Sequence, residues 1–256
     1  MMGEIFDLSG QSALVTGASR GIGRAVAKAL AAHGATVGVH YNSDEAAAEK
    51  TASELEGENH WVMKADMADP AAVMKMADKA ITLLGGVDIL VNNAGIFELH
   101  PMVVSETASW LKKWQRTVDV NLLGPAVLCH HLATHMAARG SGRIINVTSR
   151  GAYRGEPQAP AYGAAKAGLN SLSQSLAQAL APHGVIVAAV APGWVETDMT
   201  TSHLEGAEGD AIRAQSPMKR VALSEEVADV VLFLAGTKAE FITGAVIDVN
   251  GASYLR

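Results

Sequence analysis

A chain of 256 residues in which 49% of side chains are apolar is long enough to bury one large core and too apolar to remain disordered. Twenty basic against 26 acidic residues leave a net charge of −6 with no long block of one sign, which argues against nucleic acid as a partner. The single cysteine, Cys129, excludes an internal disulfide and suits a reducing compartment. No secretory signal is visible at the N-terminus, so a cytoplasmic location is expected. Apolar runs such as Val185 to Ala191 are strand-sized, far short of the ~20 residues a membrane helix needs.

In chain order, residues 12–16 predict a short strand, followed at once by the turn Gly17-Ala18-Ser19-Arg20-Gly21-Ile22-Gly23 and an alanine-rich helix. The glycines are spaced G-x-x-x-G-x-G, which departs from the G-x-G-x-x-G dinucleotide fingerprint. The same physical purpose remains open to them: a tight turn, close backbone approach to a pyrophosphate, and a helix N-terminus aimed at negative charge. A second strand, 35–40, leads to Tyr41, Asn42 and Ser43. An acid that would hold ribose hydroxyls is missing there until Asp44, while Arg20 offers a cation to a 2′-phosphate, so NADP(H) is expected over NAD(H). As a lone cation, Arg20 could equally be a solvated loop residue.

A helix over 44–56 and a strand over 61–65 come next, ending at Asp66, whose carboxylate could accept an adenine amino group or simply terminate a turn. Pro70 opens a helix to Leu84, and the strand 87–91 runs into Asn92-Asn93-Ala94-Gly95, which suits either a ligand floor with polar tethers or an ordinary turn. Residues 96–109 read as loop and helix entry, 110–123 as helix, and Pro125 starts a further helix to Arg139. Asn121 sits inside that apolar pattern. A buried amide needs partners, so it should hold a water or distort its helix.

Residues 142–166 carry the chemistry. Arg143 to Thr148 predict a strand with Ser149 at its end, and Pro160 begins a helix on which Tyr162 and Lys166, four residues apart, share a face. Free tyrosine titrates near ~10 and lysine near ~10.4, so a neighbouring ammonium is expected to favour the phenolate. Ser149 could hold a carbonyl oxygen while Tyr162 protonates it, which is general acid chemistry on a ketone or, in the reverse direction, base chemistry on an alcohol. The helix 161–181 presents Ala164, Ala165, Ala167 and Gly168 to a close neighbour, internal or from another subunit. A strand over 185–190 ends in Pro192-Gly193-Trp194-Val195-Glu196-Thr197, where Thr197 could bond a carboxamide, and residues 193–222 form a candidate lid. Ser224 should cap the helix 224–235, and 241–249 a last strand. His130, His131 and His135 lack a completing carboxylate or cysteine, so no metal site is expected. The alternating order predicts an α/β, doubly wound fold: one domain over 1–256, with a seven-stranded, mostly parallel sheet and helices on both faces.

The segments TGASRGIG at 16–23, NNAG at 92–95, Asn121, Ser149, Tyr162-x-x-x-Lys166, PGWVETDM at 192–199 and ITGAVIDVNG at 242–251 together resemble the classical short-chain dehydrogenase/reductases over nearly the whole chain. The resemblance implies a Rossmann fold, with Tyr162 as acid/base, Lys166 holding the ribose and lowering the phenol pKa, Ser149 orienting the substrate oxygen, and Asn121 keeping a water beside Lys166. It further implies cofactor contacts at Gly17, Ser19, Arg20, Gly21, Ile22, Gly23, Tyr41, Asn42, Ser43, Asp66, Met67, Asn93, Ala94, Gly95, Tyr162, Lys166, Pro192, Gly193, Val195 and Thr197, and usually a homotetramer. Motif detail is most similar to bacterial 3-oxoacyl-(acyl-carrier-protein) reductases and related small-ketone reductases. Two departures stand out: a longer segment before Asn121, and His183 where those reductases tend to carry a carrier-binding arginine. Arg139 and Arg143 remain candidate docking cations. The expected activity is ketone–alcohol interconversion with NADP(H) on a small carbonyl compound or, alternatively, on a carrier-protein thioester. A non-catalytic dinucleotide sensor or scaffold is the contrary reading, and the complete tetrad speaks against it.

Overall fold

The computed structural model describes residues 6–103, 106–198 and 200–256. Val104 and Ser105 of the 96–109 segment, and Met199 at the end of the PGWVETDM motif and inside the expected lid, lie outside the described residues. Seven strands form one sheet: β1 (Ser12–Val15), β2 (Thr36–Tyr41), β3 (Trp61–Lys64), β4 (Ile89–Asn92), β5 (Gly142–Val147), β6 (Val185–Pro192) and β7 (Val246–Val249). Their order is β3-β2-β1-β4-β5-β6-β7, and every pairing is parallel. A parallel sheet must be covered on both faces, and alternation along the strands assigns its residues. Ala13, Val15, Ile89, Val91 and Ile145 pack with α1 (Gly21–Ala32), α2 (Glu45–Ser53) and α9 (Ser224–Ala235). Leu14, Leu90, Ile144 and Val187 pack on the other side with α3 (Pro70–Leu84), α5 (Gly124–Arg139) and α7 (Pro160–Leu180).

Local signals set most boundaries. The Asp69 carboxylate accepts from the amides of Ala71 and Ala72 to start α3, and Gly85, at φ 71°, ends it in the left-handed conformation. Asp44 caps α2 through the Ala47 amide. Pro160 occupies the first turn of α7, as its fixed φ allows.

Three boundaries differ from expectation. Ser224 does not cap α9: its hydroxyl donates to Glu196 O, and the Glu226 carboxylate reaches back to the Leu223 amide instead. The last strand begins only at Val246, because Thr237–Ile242 coils into 3₁₀ turns. The helix around Asn121 is three pieces. Glu106 caps α4 (Thr107–Val118), which loosens into a π-helical turn, Asp119–Leu123, before α5 continues. The distortion expected of the buried Asn121 is therefore present. Gly168 of α7 faces this turn, since a Cβ there would lie 2.9 Å from the Leu122 side chain. The short helix α6 (Gly151–Arg154) and α8 (Gly206–Ala214) complete the chain. Among the described residues no helix is long and apolar enough to cross a membrane.

Candidate active site

Strand order reverses between β1 and β4, and in such sheets ligands bind outside the carboxyl ends at that switch point. A cleft of about 420 Å³ lies there. Gly17 and Gly21 take φ values of 64° and 54°, which side chains rarely tolerate. The loop is stitched to the end of β4: Thr16 Oγ1 accepts from the Asn93 and Ala94 amides, and the Asn93 side-chain amide donates to Thr16 O and Gly17 O. No side chain caps the N-terminus of α1, whose free amides and dipole suit an anion. Gly23 does not line the cleft. Its missing Cβ would lie 2.3 Å from Gly17 O and 2.5 Å from the Asn93 amide nitrogen, so this glycine exists for close packing.

A residue with no sequence motif supports this loop from below. His40, buried at the end of β2, accepts from the Gly17 amide at Nδ1 (2.9 Å), and its Nε2 meets Ala65 O (3.0 Å). With one nitrogen accepting and the other donating, the ring is neutral, and burial pushes its pKa down to about 4. Tyr41, Asn42 and Ser43 line the cleft with Arg20, while the nearest acid, Asp44, is occupied as the α2 cap. Asp66 and Met67 line it too, but Arg116 donates to both Asp66 oxygens at 2.9 Å. Burial works to raise the Asp66 pKa; the Arg116 and Ala68 hydrogen bonds outweigh it and leave it lowered. Arg116, on α4, had no signal in sequence beyond its charge.

The floor residue Asn92 is not a tether. It is buried under the cleft, donating to Asn146 Oδ1 and Cys129 Sγ, and burial pushes that thiol up to about 12. Asn121 also lies beneath the lining, with its amide satisfied by Ile96 N, Ile96 O and Thr117 O.

Ser149, Tyr162 and Lys166 converge on the cleft wall with Gly95, Pro192, Gly193, Val195 and Thr197. Ser149 Oγ accepts from the Gly151 amide at 3.0 Å. Phe97 meets the Tyr162 ring edge-on, with centroids 5.1 Å apart. Lys166 Nζ donates to Val147 O at 2.8 Å and stands 5.8 Å from the Tyr162 ring centroid. Lys166 is not among the groups that move the phenol in this cleft, and the balance there runs opposite to the expected lowering. Burial pushes Tyr162 up to about 12; the Ser149 hydroxyl pulls against this and the Glu156 charge adds to it. Burial also pushes the Lys166 ammonium down to about 8.

Across the cleft, the segment after β6 reaches the glycine loop. Thr197 Cγ2 lies 3.2 Å from where a Gly21 Cβ would be, and a backbone bond from Ala222 to Trp194 O closes the base of this excursion. Between those anchors lie a 3₁₀ turn, Thr201–His203, and α8. The two candidate docking cations sit elsewhere. Arg143, at the amino end of β5 opposite the cleft, is buried and pairs with Glu240, and Arg139 pairs with Asp88. Neither is a free cation at the mouth of the cleft. His131 meets Asp78 at 2.7 Å.

A family model described as Enoyl-(Acyl carrier protein) reductase matches residues 17–252. Nodulation protein G of Rhizobium sp. (strain N33) is 41% identical over 247 residues, covering 96% of this chain and 98% of its own length. The 3-oxoacyl-(acyl-carrier-protein) reductase FabG of Staphylococcus epidermidis is 37% identical over 247 residues, covering 96% and 99%. Among solved structures, a dehydrogenase/reductase from Sinorhizobium meliloti 1021 matches with TM-score 0.91 at 33% identity over 99% of both chains. A short chain dehydrogenase from Burkholderia cenocepacia J2315, in complex with NADP, matches with TM-score 0.87 at 35% identity, covering 96% of this chain and 99% of that one. A seven-stranded sheet whose switch point carries the glycine loop, matched over nearly its full length by these relatives, makes the chain an oxidoreductase of the short-chain dehydrogenase/reductase family.

Proposed function

We propose that this chain is an NADP(H)-dependent reductase of a small ketone, or the reverse secondary-alcohol dehydrogenase, with Tyr162 as its proton donor and acceptor. One observation carries the reading: Ser149, Tyr162 and Lys166 face the same cleft as the glycine loop. The lining fits the nucleotide: open amides at the start of α1, small residues at Gly17 and Gly95, and the Arg20 cation beside Asn42 and Ser43 with no uncommitted acid among them. Bound there, the dinucleotide would supply the hydride.

The rest falls to the protein. Ser149 holds the carbonyl oxygen, and the Tyr162 hydroxyl, kept protonated by a pKa of about 12, delivers its proton to the oxygen as negative charge develops on it. Lys166, anchored on Val147 O, holds the ribose. Asn121 fixes Ile96 and the floor beside it. In this reading residues 1–256 act as one domain, with about 193–222 as its lid, and the assembly is a homotetramer that light scattering would test.

The names of the relatives favour a second reading, reduction of an acyl-carrier-protein thioester. An initial-rate screen following nicotinamide absorbance separates the two, with NADPH and NADH offered against free ketones and acetoacetyl thioesters. Turnover of free ketones with NADPH is expected; activity confined to thioesters, with a salt-sensitive KM for the carrier-linked form, would give the second reading. Tyr162→Phe should lower kcat by about 10²- to 10⁴-fold while NADPH still binds. Undiminished turnover in that variant would remove tyrosine catalysis.

A further inference from the structure

Between Ser149 and Tyr162 the chain passes through α6 and a turn that brings Glu156 into the lining of the same cleft. Gly151 makes the room. A Cβ built there would lie 2.4 Å from Glu156 Oε1 and 2.9 Å from its Cγ, so the carboxylate occupies the space a side chain would take.

Two arginines flank this carboxylate and neither binds it. Arg150, buried, donates to Gln215 Oε1 at 2.6 Å and to Ser253 Oγ, and Arg154 donates to the same Gln215 oxygen at 3.2 Å. Among the described residues no donor or cation reaches the Glu156 carboxylate at bonding distance, although the group is half-buried. Burial raises its pKa, and the charges of Arg154 and Arg150 work against that rise. The carboxylate is open to water from the cleft, so a substrate that covers it must supply a donor in place of that water or leave the acceptor unpaired. The apolar and aromatic side chains of Ile96, Phe97 and Trp194 line the same cleft, together with Ser149 and Tyr162. Because the charges of Arg154 and Arg150 already act on the carboxylate, a neutral donor suits it better than a further cation.

We propose that Glu156 is a specificity-determining residue: it selects ketones that carry a hydroxyl close to the carbonyl over hydrocarbon or carboxylate-bearing ketones of the same size. This rests on the ketone-reductase reading and narrows its substrate class. A substrate hydroxyl that reaches the carboxylate gains a charge-assisted hydrogen bond, and a substrate without one displaces water from the acceptor and replaces it with nothing.

The test compares hydroxyacetone, butanone and pyruvate, which place a hydroxyl, a methyl or a carboxylate at matched distance, in wild type, Glu156→Ala and Gly151→Ala. Wild type should favour hydroxyacetone over butanone by about 10- to 100-fold in kcat/KM and discriminate further against pyruvate. Glu156→Ala should collapse the hydroxyacetone-to-butanone ratio toward one, chiefly through KM. Gly151→Ala, which keeps the carboxylate but displaces it, should lower the same ratio. NADPH affinity by fluorescence titration reports whether each variant is folded. An equal ratio in wild type and Glu156→Ala overturns the inference and leaves the reductase reading standing. A wild-type enzyme that binds NADPH yet reduces no free ketone overturns both.

Discussion

Acidification should weaken this fold through His40 in particular. Protonating its ring would put a second N–H against the Gly17 amide that Nδ1 now accepts, in a site where no water can solvate the charge. Burial holds its pKa at about 4, against an ordinary 6.5. The unfolded chain therefore binds a proton that the folded chain refuses between those two values. The stabilisation is complete above about pH 6.5 and is lost as pH falls toward about 4, reaching about 3 kcal/mol for a difference of this size. Urea unfolding of wild type and His40→Gln across that range measures it, since every carboxylate contributes alike to both proteins. The wild-type advantage should shrink by about 3 kcal/mol between about pH 7.5 and pH 4, and NADPH affinity should fall with it. A gap that stays constant with pH would refute the reasoning.

Gly23→Ala should destabilise the chain by about 1–3 kcal/mol and weaken nucleotide binding, because its Cβ must displace both the Gly17 carbonyl and the Asn93 side chain; thermal unfolding with and without NADPH reads both effects. Arg20→Glu should raise the KM for NADPH by about 10- to 100-fold relative to that for NADH, and an unchanged ratio would show that Arg20 is a solvated loop residue. With the phenol of Tyr162 held up at about 12, ketone reduction, which needs the protonated form, should stay level through neutrality, whereas alcohol oxidation, which needs the phenolate, should climb as pH rises. Initial rates in both directions would show this; an oxidation rate that peaks near neutrality would contradict it.

Local spacing determined a great deal of this protein. Glycines after a strand, a tyrosine and a lysine one helical turn apart, and the alternation of strand and helix each depend only on neighbours in the chain, so the sheet, the loop and the helix face that carries Tyr162 and Lys166 to the cleft were legible before folding. Even the cost of burying Asn121 was legible, and the π-helical turn answers it. Only the tertiary structure decided which polar groups meet. His40 finds Gly17 across 23 residues, Arg116 takes Asp66 across 50, and Arg150 is drawn to Gln215 across 65, which leaves Glu156 open. The same long-range packing buried Arg143 and Asn92, and it raised the phenol of Tyr162 where a neighbouring lysine alone would have lowered it. Charge and donor count can be read along a sequence; burial and partnership depend on surfaces brought together from distant segments, and these set both the energies and the chemistry of the cleft.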